Sequence, residues 1–400
     1  MIWQVGGIMQ KMISSKDALQ IIMKKIRTFP VVKVSTHDSL NYVLARDLYS
    51  PLNIPPFNKS AMDGYVMAKG DKGSEFKVVG EIAAGQVYKK RILKGTVVKV
   101  MTGAAIPVNA EKVIMKEHVK HIGQDRIVII KKDSRNNICI KGEDLKKGSR
   151  LFSKGENITS LILANIAAAG IDKVNVYKKP DIGIMRTGSE LLELGEKYKD
   201  GKIYNSNGPL LKSLLSAYGV GKITLKTVKD SIPVLKQVFA GLIKNNDVVF
   251  ITGGVSVGDY DYVNCLLDEM GCKISFNKVS IQPGKPFTFA TYKQKLIFAF
   301  PGNPVSVFTT YYFFALPALY KMSGVDFSFT TSTCVFRGTF KRRRCDRELY
   351  LPVKFSGNKE VGAVKYNGSG DLFALSRADG FMVVPIGKKN IKNGEKVKII

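Results

Sequence analysis

A glycine-rich loop with two carboxylates follows a short apolar run, Val-Val-Phe-Ile, in this 400-residue chain. The run is β-branched at three of its four positions, which is typical of a buried strand. Gly253, Gly254 and Ser256 come directly after it, followed by Asp259 and Asp261. Glycines let an oxyanion approach backbone N–H groups, and carboxylates bind metal ions. Taken alone, the loop could also be an ordinary strand-to-helix turn, although a ligand site is the favoured interpretation.

Polar side chains follow three further predicted strands, and these decide between the two interpretations. Glu190 follows a strand at 181–185, and Asp230 follows a strand at 223–228. The loop from Pro301 to Pro304 follows a strand at 296–300. Because the carboxyl ends of parallel strands meet at one edge, these segments should lie close to Asp261. The sequence therefore predicts a site at this edge of the sheet.

Positive charge is also present near these acids in the sequence. Several carboxylates at one edge repel each other unless a metal ion or cationic side chains balance them. Arg186, Lys278 and Lys285 supply cations. A crevice with these groups suits a phosphorylated substrate. The acids would bind Mg²⁺, the glycine loops would bind oxyanions, and the lysines would bind phosphates. The chain has three histidines, none of them in this region, which argues against a Ser-His-Asp hydrolase.

Strands and helices alternate over residues 180–325, which predicts a parallel, doubly wound α/β domain. Helices are expected at 209–218, 232–244 and 262–270, and from Val305 onward. Asn207 is a candidate N-cap for the first of these helices, and Gly219 is its expected stop. The predicted α/β domain is the scaffold that must position the site.

The flanking segments follow different patterns. Helices are predicted at 13–27, at 40–48, and at 158–169 before Gly170, and we expect the first and last of these to pack together. Residues 76–132 alternate in the manner of a small all-β domain, with His118 and His121 as exposed hairpin residues. Residues from 333 onward predict a C-terminal barrel or curled sheet. A proline-rich loop presents Asp63, and the Lys141–Gly148 turn carries Glu143 and Asp144.

Composition and charge exclude several classes of protein. No run of about 18 apolar residues appears, and the first 11 residues do not resemble a signal peptide. The five cysteines are scattered, which indicates reduced thiols in a cytoplasmic protein. The net charge of +29 is spread along the whole chain, with one short basic cluster at 341–344. We therefore expect a general attraction to anions without a specific nucleic-acid or membrane partner.

Seven short motifs occur together in one order, and with them the chain resembles the molybdopterin molybdenumtransferase family, which includes MoeA and the E domain of gephyrin. The resemblance covers about residues 12–400. The motifs are Pro55-Pro-Phe with Ser60-Ala-Met-Asp-Gly-Tyr, Met101-Thr-Gly-Ala, Gly142-Glu-Asp, Thr187-Gly with Glu190-Leu, Gly253-Gly-Val-Ser-Val-Gly with Asp261-Tyr, Pro283-Gly-Lys-Pro, and Pro301-Gly-Asn-Pro-Val-Ser.

The resemblance implies four domains and an elongated homodimer. The domains would be a discontinuous N-terminal domain (12–50 with 140–178), an inserted β domain (51–139), a MogA-like α/β/α domain that binds molybdopterin (179–327), and a C-terminal β domain (328–400). The implied site is a cleft shared between subunits. The implied reaction takes adenylyl-molybdopterin and molybdate with Mg²⁺ and releases AMP. A MogA-like molybdopterin adenylyltransferase would supply the substrate.

The resemblance also implies roles for individual residues. Asp63, Glu190 and Asp261 would be catalytic, and Glu190, Asp230 and Asp261 would handle the metal. The residues implied in binding substrate or cofactor are Thr102, Asp144, Asp230, Gly253, Gly254, Ser256, Lys278, Lys285, Pro301, Asn303, Pro304 and Ser369. Asp63, Thr102 and Asp144 would come from the second subunit.

Three positions depart from the family pattern. Asn58-Lys59 stands where an Asp is common, and Gln282 stands at a position that is basic in some members. Pro352 stands where many members have an Arg, so Arg347 or a neighbour would have to serve instead. A non-catalytic cofactor-binding or scaffolding relative is the alternative function, and release of AMP would separate it from the enzyme.

The charge distribution yields a prediction about nucleic acid. Binding of a DNA duplex should be measurable at low ionic strength and lost at about 0.15 M salt, because counterion release dominates non-specific contacts. Fluorescence anisotropy across a salt series measures it. Tight binding that persists at the higher salt would contradict the expectation.

Overall fold

The computed structural model describes residues 12–254, 262–357 and 359–400. The described residues fold into two compact units. The described residues of 1–32, 41–45 and 176–400 form the first unit. Residues 33–40 and 46–175 form the second.

A mixed six-stranded sheet is the centre of the first unit. Its strands, in spatial order, are Ile223–Val228, Ile182–Thr187, Val248–Thr252, Lys295–Phe300, Thr288–Tyr292 and Lys273–Phe276. The first four run parallel, as predicted, and the Thr288–Tyr292 strand runs antiparallel to its two neighbours. The four predicted strands are thus confirmed as parallel, and the sheet has two further strands at one edge that were not predicted, where a hairpin joins Thr288–Tyr292 to Lys295–Phe300.

The central strands are apolar on both faces because each face packs against a separate core. Ile184, Phe250 and Phe298 belong to a cluster on one face. Met185 and Ile251 alternate with them and belong to a cluster on the other. Burial on both faces explains the near-continuous apolar runs from which these strands were predicted.

Helices cover both faces of this sheet. Asn207–Tyr218 ends at Gly219 in the left-handed conformation, as predicted. Pro304–Thr310 continues through a π-helical segment, Tyr311–Ala315, into Leu316–Met322. The helices of this unit are Ser15–Lys25, Asn207–Tyr218, Ile232–Asn245, Tyr262–Glu269, the Pro304–Met322 run and Leu372–Ser376. Among the described residues, no helix combines the length and apolarity needed to cross a membrane.

The C-terminal part of the first unit is a curled sheet that is nearly closed. Its strands, in spatial order, are Ile281–Gln282, Glu348–Gly357, Glu360–Ala363, Ser332–Arg337, Lys396–Ile399 and Gly380–Val384. Glu348–Gly357 also pairs with Gly380–Val384, so the last strand returns to the second. This arrangement agrees with the predicted barrel or curled sheet. The short strands Leu191–Leu192 with Ile203–Tyr204, and Phe340–Lys341 with Asn390–Ile391, form two-stranded pairs.

The second unit is built on another six-stranded sheet. Its strands, in spatial order, are Ala110–Met115, Gly64–Ala68, Thr96–Val100, Glu75–Ile82, Arg126–Ile129 and Val119–Ile122. Short pairs join Lys59–Ser60 to Ile138–Cys139 and Leu48–Tyr49 to Arg150–Phe152. The helix Ser160–Ala168 is capped by the Thr159 side chain, and Gly170 follows in a left-handed conformation.

Two expectations for the N-terminal segment were wrong. Residues 40–48 are not helical: a 3₁₀ turn, Thr36–Asp38, precedes them, and Leu44 forms a β-bridge with Val176. The helix Ser15–Lys25 contributes Ala18 and Ile22 to the core of the first unit, whereas Ser160–Ala168 belongs to the second unit. The four domain boundaries themselves stay predictions.

Gly253 should not tolerate a side chain. A Cβ there would lie 1.9 Å from the Thr187 carbonyl oxygen, and its φ of +87° disfavours other residues. Gly253→Ala should lower the free energy of unfolding by about 3 kcal/mol or more. Urea denaturation measures this loss.

Gly241→Ala is the matched control. Gly241 lies within the helix Ile232–Asn245, and a Cβ there would meet no atom within 4 Å. This variant should be about 0.5–1 kcal/mol more stable than the parent chain. Equal effects of the two substitutions would contradict the steric argument.

Candidate functional site

Asp230 organises the loop that follows the strand Ile182–Thr187. The Thr187 hydroxyl donates to one Asp230 carboxylate oxygen, and the Ser189 N–H donates to the other at 2.9 Å. Glu190 is exposed at the end of this loop, and its carboxylate lies against Gly188. The structure thus brings Asp230 and the loop that carries Glu190 together at the predicted edge.

The third predicted metal ligand, Asp261, lies outside the described residues, as do Ser256 and Asp259. Within the part of the chain that is described, no three acidic, histidine or cysteine side chains are grouped to hold a metal ion. The Glu190 carboxylate makes no hydrogen bond or ion pair with any described residue. Among the described residues, this edge therefore offers two carboxylates, those of Asp230 and Glu190.

Gly253 and Gly254 have a steric role in the packing of this edge. The carbonyl of Thr187 occupies the space that a side chain at Gly253 would need, and the Thr187 methyl group approaches Gly254 similarly. Both glycines have positive φ angles. They therefore allow two neighbouring strand ends to cross closely, which is a structural requirement separate from anion binding.

The sequence predicted Asn207 as an N-cap, but in the structure its side chain makes hydrogen bonds to two other segments. Its side-chain N–H₂ donates to the Thr252 hydroxyl at 3.0 Å and to the Gly302 carbonyl at 2.7 Å. The N-cap residue Ser206 makes no side-chain capping bond, and the Asn205 side-chain oxygen accepts from the Gly208 N–H at 3.1 Å instead. Asn207 therefore links the ends of two parallel strands, a role that local sequence patterns do not indicate.

Three polar atoms near this edge have no hydrogen-bond partner among the described residues. They are Arg186 Nε, Asn205 Nδ2 and Asn207 Oδ1. Arg186 is buried and pairs through its other nitrogens with Glu193 and Thr227. An unpaired buried donor costs about 1–3 kcal/mol. The polar run Asn205-Ser-Asn207 at the start of the helix is visible in the sequence, but it does not indicate which atoms these side chains contact.

A cavity of about 470 Å³ lies between the α/β sheet and the C-terminal sheet of the first unit. Four of the residues predicted to bind substrate line this cavity. Lys285 lies in one segment, and Pro301 with Asn303 lies in a second. Ser369 completes the set from the C-terminal sheet region. The full lining is Gln282, Pro283, Gly284, Lys285, Pro286, Pro301, Gly302, Asn303, Ser306, Arg347, Tyr366, Gly368 and Ser369.

The polar groups of this cavity are held in place by one another. Asn303 Nδ2 donates to Ser369 Oγ at 2.7 Å, and the Val305 N–H donates to the Ser369 carbonyl at 3.1 Å. Because Ser369 Oγ accepts from Asn303, its own O–H can donate into the cavity. Lys285 and Arg347 add two positive charges. The arrangement suits a small tetrahedral anion.

The departures from the family pattern can now be located. Pro352 is buried within the strand Glu348–Gly357, whereas Arg347 lines the cavity, as one of the alternatives anticipated. Gln282 also lines it. Lys278 is half-buried, and its carbonyl accepts from the Ile13 N–H. Pro304 begins the helix beside the cavity.

In the second unit, Asp63 is held by Thr102 and Lys116. The Thr102 N–H and hydroxyl each donate to one Asp63 oxygen at 2.8 Å, and Lys116 Nζ lies 3.1 Å from the other. The Thr102 backbone donor is the largest cause that lowers the pKa of Asp63 to about 2, followed by the Thr102 hydroxyl and Lys116. The predicted pair Asp63 and Thr102 is therefore in direct contact.

Asp144 lies on a neighbouring loop of the same unit. Its N–H donates to the Ile54 carbonyl at 3.0 Å, and its side chain is exposed. Asn58, which replaces the common acid, accepts from the Lys141 N–H at 2.7 Å. Asn58 thus ties the Asp63 loop to the Asp144 loop without adding a charge.

The titration of Asp63 should depend on Thr102. Because its folded pKa is lowered from 3.8 to about 2, its contribution to stability is complete above about pH 4. That contribution is lost as the pH falls towards 2. Thr102→Val should raise the Asp63 pKa, since one of three donors disappears; carboxyl ¹³C NMR measures it.

Thr96→Val is the control for that measurement, because the Thr96 hydroxyl donates instead to the Leu93 carbonyl. This variant should leave the Asp63 titration unchanged. An unchanged titration in Thr102→Val would show that the hydroxyl contact does not stabilise the carboxylate.

Comparison with known proteins covers nearly the whole chain. Three family models match in succession: "MoeA N-terminal region (domain I and II)" at 13–170, "Probable molybdopterin binding domain" at 183–321, and "MoeA C-terminal region (domain IV)" at 342–400. A molybdopterin molybdenumtransferase of Staphylococcus aureus (strain COL) is 34% identical over 396 residues, covering 96% of this chain and 94% of the relative. One from Staphylococcus epidermidis (strain ATCC 12228) is 32% identical over 400 residues, covering 97% and 95%.

Solved structures agree with the sequence comparison. A molybdopterin biosynthesis MoeA protein from Pyrococcus horikoshii superposes with a TM-score of 0.77 at 28% identity, over 97% of this chain and 98% of the other. A second MoeA structure, from Pyrococcus horikoshii OT3, gives 0.74 at 30% identity, over 97% and 99%. These matches confirm the predicted MoeA fold with its MogA-like domain. The chain belongs to the molybdopterin molybdenumtransferase (MoeA) family and is an enzyme of molybdenum cofactor biosynthesis.

Proposed function

We propose that this protein inserts molybdate into adenylylated molybdopterin in a Mg²⁺-dependent reaction that releases AMP. The observation that carries the proposal is the cavity lined by Lys285, Arg347 and Ser369. It lies at the carboxyl edge of the parallel strands, where open α/β folds bind their ligands. Its charge and size fit molybdate, a small tetrahedral dianion.

The cavity binds the oxyanion through three kinds of contact. Lys285 and Arg347 supply charge-assisted hydrogen bonds, which are the stronger class. Ser369, oriented by Asn303, donates its hydroxyl proton. Pro301 and the neighbouring prolines form rigid walls. Lys278 would contribute at longer range, outside the lining of the cavity.

The strand-end loops handle the phosphates of the substrate. Glu190 and Asp230, with Asp261, would hold Mg²⁺, which when bound stabilises the charge that develops as the phosphoanhydride breaks. Arg186 Nε and Asn205 Nδ2 are buried donors without a described partner. Phosphate oxygens of an adenylylated substrate are acceptors that would satisfy such donors.

A second copy of the chain would complete the site with Asp63, Thr102 and Asp144. The helix Ser160–Ala168 supports a homodimer, because it is apolar on most of its surface and only Ile166 is fully buried. Leu161 is 77% exposed on it. An apolar helix surface of this kind is usually covered by another protein surface.

The remaining assignments follow from the reaction. A MogA-like adenylyltransferase would supply adenylyl-molybdopterin, and neither a membrane nor a specific nucleic acid is needed as a partner. The cytoplasm is the expected compartment, and all five cysteines are free thiols.

The test is AMP release from adenylyl-molybdopterin by the purified protein with molybdate and Mg²⁺. Arg347→Met and Lys285→Met should each raise the KM for molybdate by about tenfold or more, since each removes a charge-assisted bond worth about 1.5–3 kcal/mol. Arg344→Met, an exposed arginine on the same loop, is the matched control and should change KM less than twofold.

Two results would contradict the proposal. A folded parent protein that releases no AMP above background would exclude the enzymatic activity. Active Arg347→Met and Lys285→Met variants with an unchanged KM for molybdate would place the oxyanion site elsewhere.

A further inference from the structure

Asp133 is a buried carboxylate of the second unit that the proposed reaction does not use. It is 8% exposed. Its Oδ1 lies 2.7 Å from His118 Nδ1, and its Oδ2 accepts from the Met115 N–H at 3.1 Å. Lys112 Nζ donates to its carbonyl oxygen. A buried charge persists only when it is paired in this way.

The contacts of Asp133 fix both ends of one short turn. Met115 precedes the 3₁₀ turn Lys116–His118, and His118 ends it. One carboxylate therefore holds the N–H before the turn and the imidazole at its end. The sequence suggested an exposed hairpin histidine, but the His118 side chain is only 16% exposed. The interpretation of His118 as an exposed residue was therefore wrong.

Lys116, the first residue of this turn, contacts Asp63 twice. Its N–H donates to the Asp63 carbonyl at 3.1 Å, and its Nζ lies 3.1 Å from Asp63 Oδ2. The Lys116 side chain is 58% exposed. Exposed ion pairs contribute about 0–1 kcal/mol and do not fix a flexible lysine by themselves. The geometry of the Lys116–Asp63 pair therefore depends on the backbone on either side of Lys116: the strand register that sets Gly64 opposite Met115, and the turn Lys116–His118.

We propose that Asp133 is a positioning residue: together with His118 it holds Lys116 against Asp63, so that this charge pair meets the substrate in one geometry. The inference rests on the proposed function for the catalytic role of Asp63. The contacts that link Asp133 to Asp63 through Lys116 stand independently of it. A purely structural role, in which Asp133 only stabilises the hairpin, is the alternative.

A double-mutant cycle separates the two roles. Asp133→Asn and Lys116→Met should each lower kcat by about 10–100-fold, the range expected when a catalytic group is misplaced. The combined variant should be no slower than Lys116→Met alone, because both substitutions remove the same contribution. AMP release measures kcat and KM.

A spectroscopic readout is independent of turnover. The ¹⁵N signal of the Lys116 side-chain ammonium should move in Asp133→Asn towards the value of a lysine in free exchange with water. Asp125→Asn is the control, since Asp125 pairs with Lys77 on the surface of the same sheet. That variant should keep both the ammonium signal and kcat of the parent.

Two outcomes would overturn the inference. The first is a double variant whose loss of kcat equals the product of the losses in the two single variants. The second is an unchanged ammonium signal in folded Asp133→Asn. If Asp133→Asn does not fold, His118→Gln replaces it in the same cycle with the same expectations. If the parent protein releases no AMP, the proposed function fails, while the ammonium signal still tests the positioning by Asp133.

Discussion

The close approach of Thr187 to Gly253 is the contact on which the proposed catalytic edge depends. Only glycine permits it, since a Cβ at Gly253 would overlap the Thr187 carbonyl oxygen. With the two strand ends in contact, the Thr187 hydroxyl reaches Asp230, and Asp230 in turn holds the Ser189 N–H. The loop carrying Glu190 is thus shaped by backbone packing before any ligand binds. This is preorganisation: the cost of ordering the loop is met in folding rather than in binding.

The same edge is connected to the oxyanion cavity through hydrogen bonds. Thr252, the last residue of its strand, donates to the Pro301 carbonyl at 3.3 Å and accepts from Asn207. Asn207 also holds Gly302, and the adjacent Asn303 donates to Ser369. A continuous set of contacts therefore runs from the central sheet to the C-terminal sheet. Both proposed ligand sites of the first unit are therefore connected by the same hydrogen bonds.

The sequence was informative where one physical signal dominated. Buried parallel strands have continuous apolar runs, so the central strands and the polar residues after them were predicted closely. The sequence pattern wrongly predicted a helix at 40–48. Leu44 forms a β-bridge there, and tertiary packing overrides the local helix propensity. Asn207 contacts residues distant in sequence, and Asp133 contacts a turn that precedes it by some fifteen positions. No local pattern indicates such contacts. Asp63 was singled out by its proline-rich loop, and its pairing with Thr102 in one site was implied by the family resemblance, not by periodicity.

The acidic residues differ in whether their carboxylate oxygens already accept hydrogen bonds from the protein. Asp63 accepts from Thr102 and Lys116, and Asp230 accepts from Thr187 and Ser189, so each carboxylate already stabilises the loop around it. The exposed Glu190 carboxylate makes no such bond to any described residue. A carboxylate that already accepts several hydrogen bonds is a weaker candidate for direct metal ligation than an unengaged one, because part of its lone-pair capacity is taken. For the proposed Mg²⁺ site, this difference favours Glu190 as the direct ligand among the described acids, while Asp230 would hold the ion less directly and also orients the Glu190 loop.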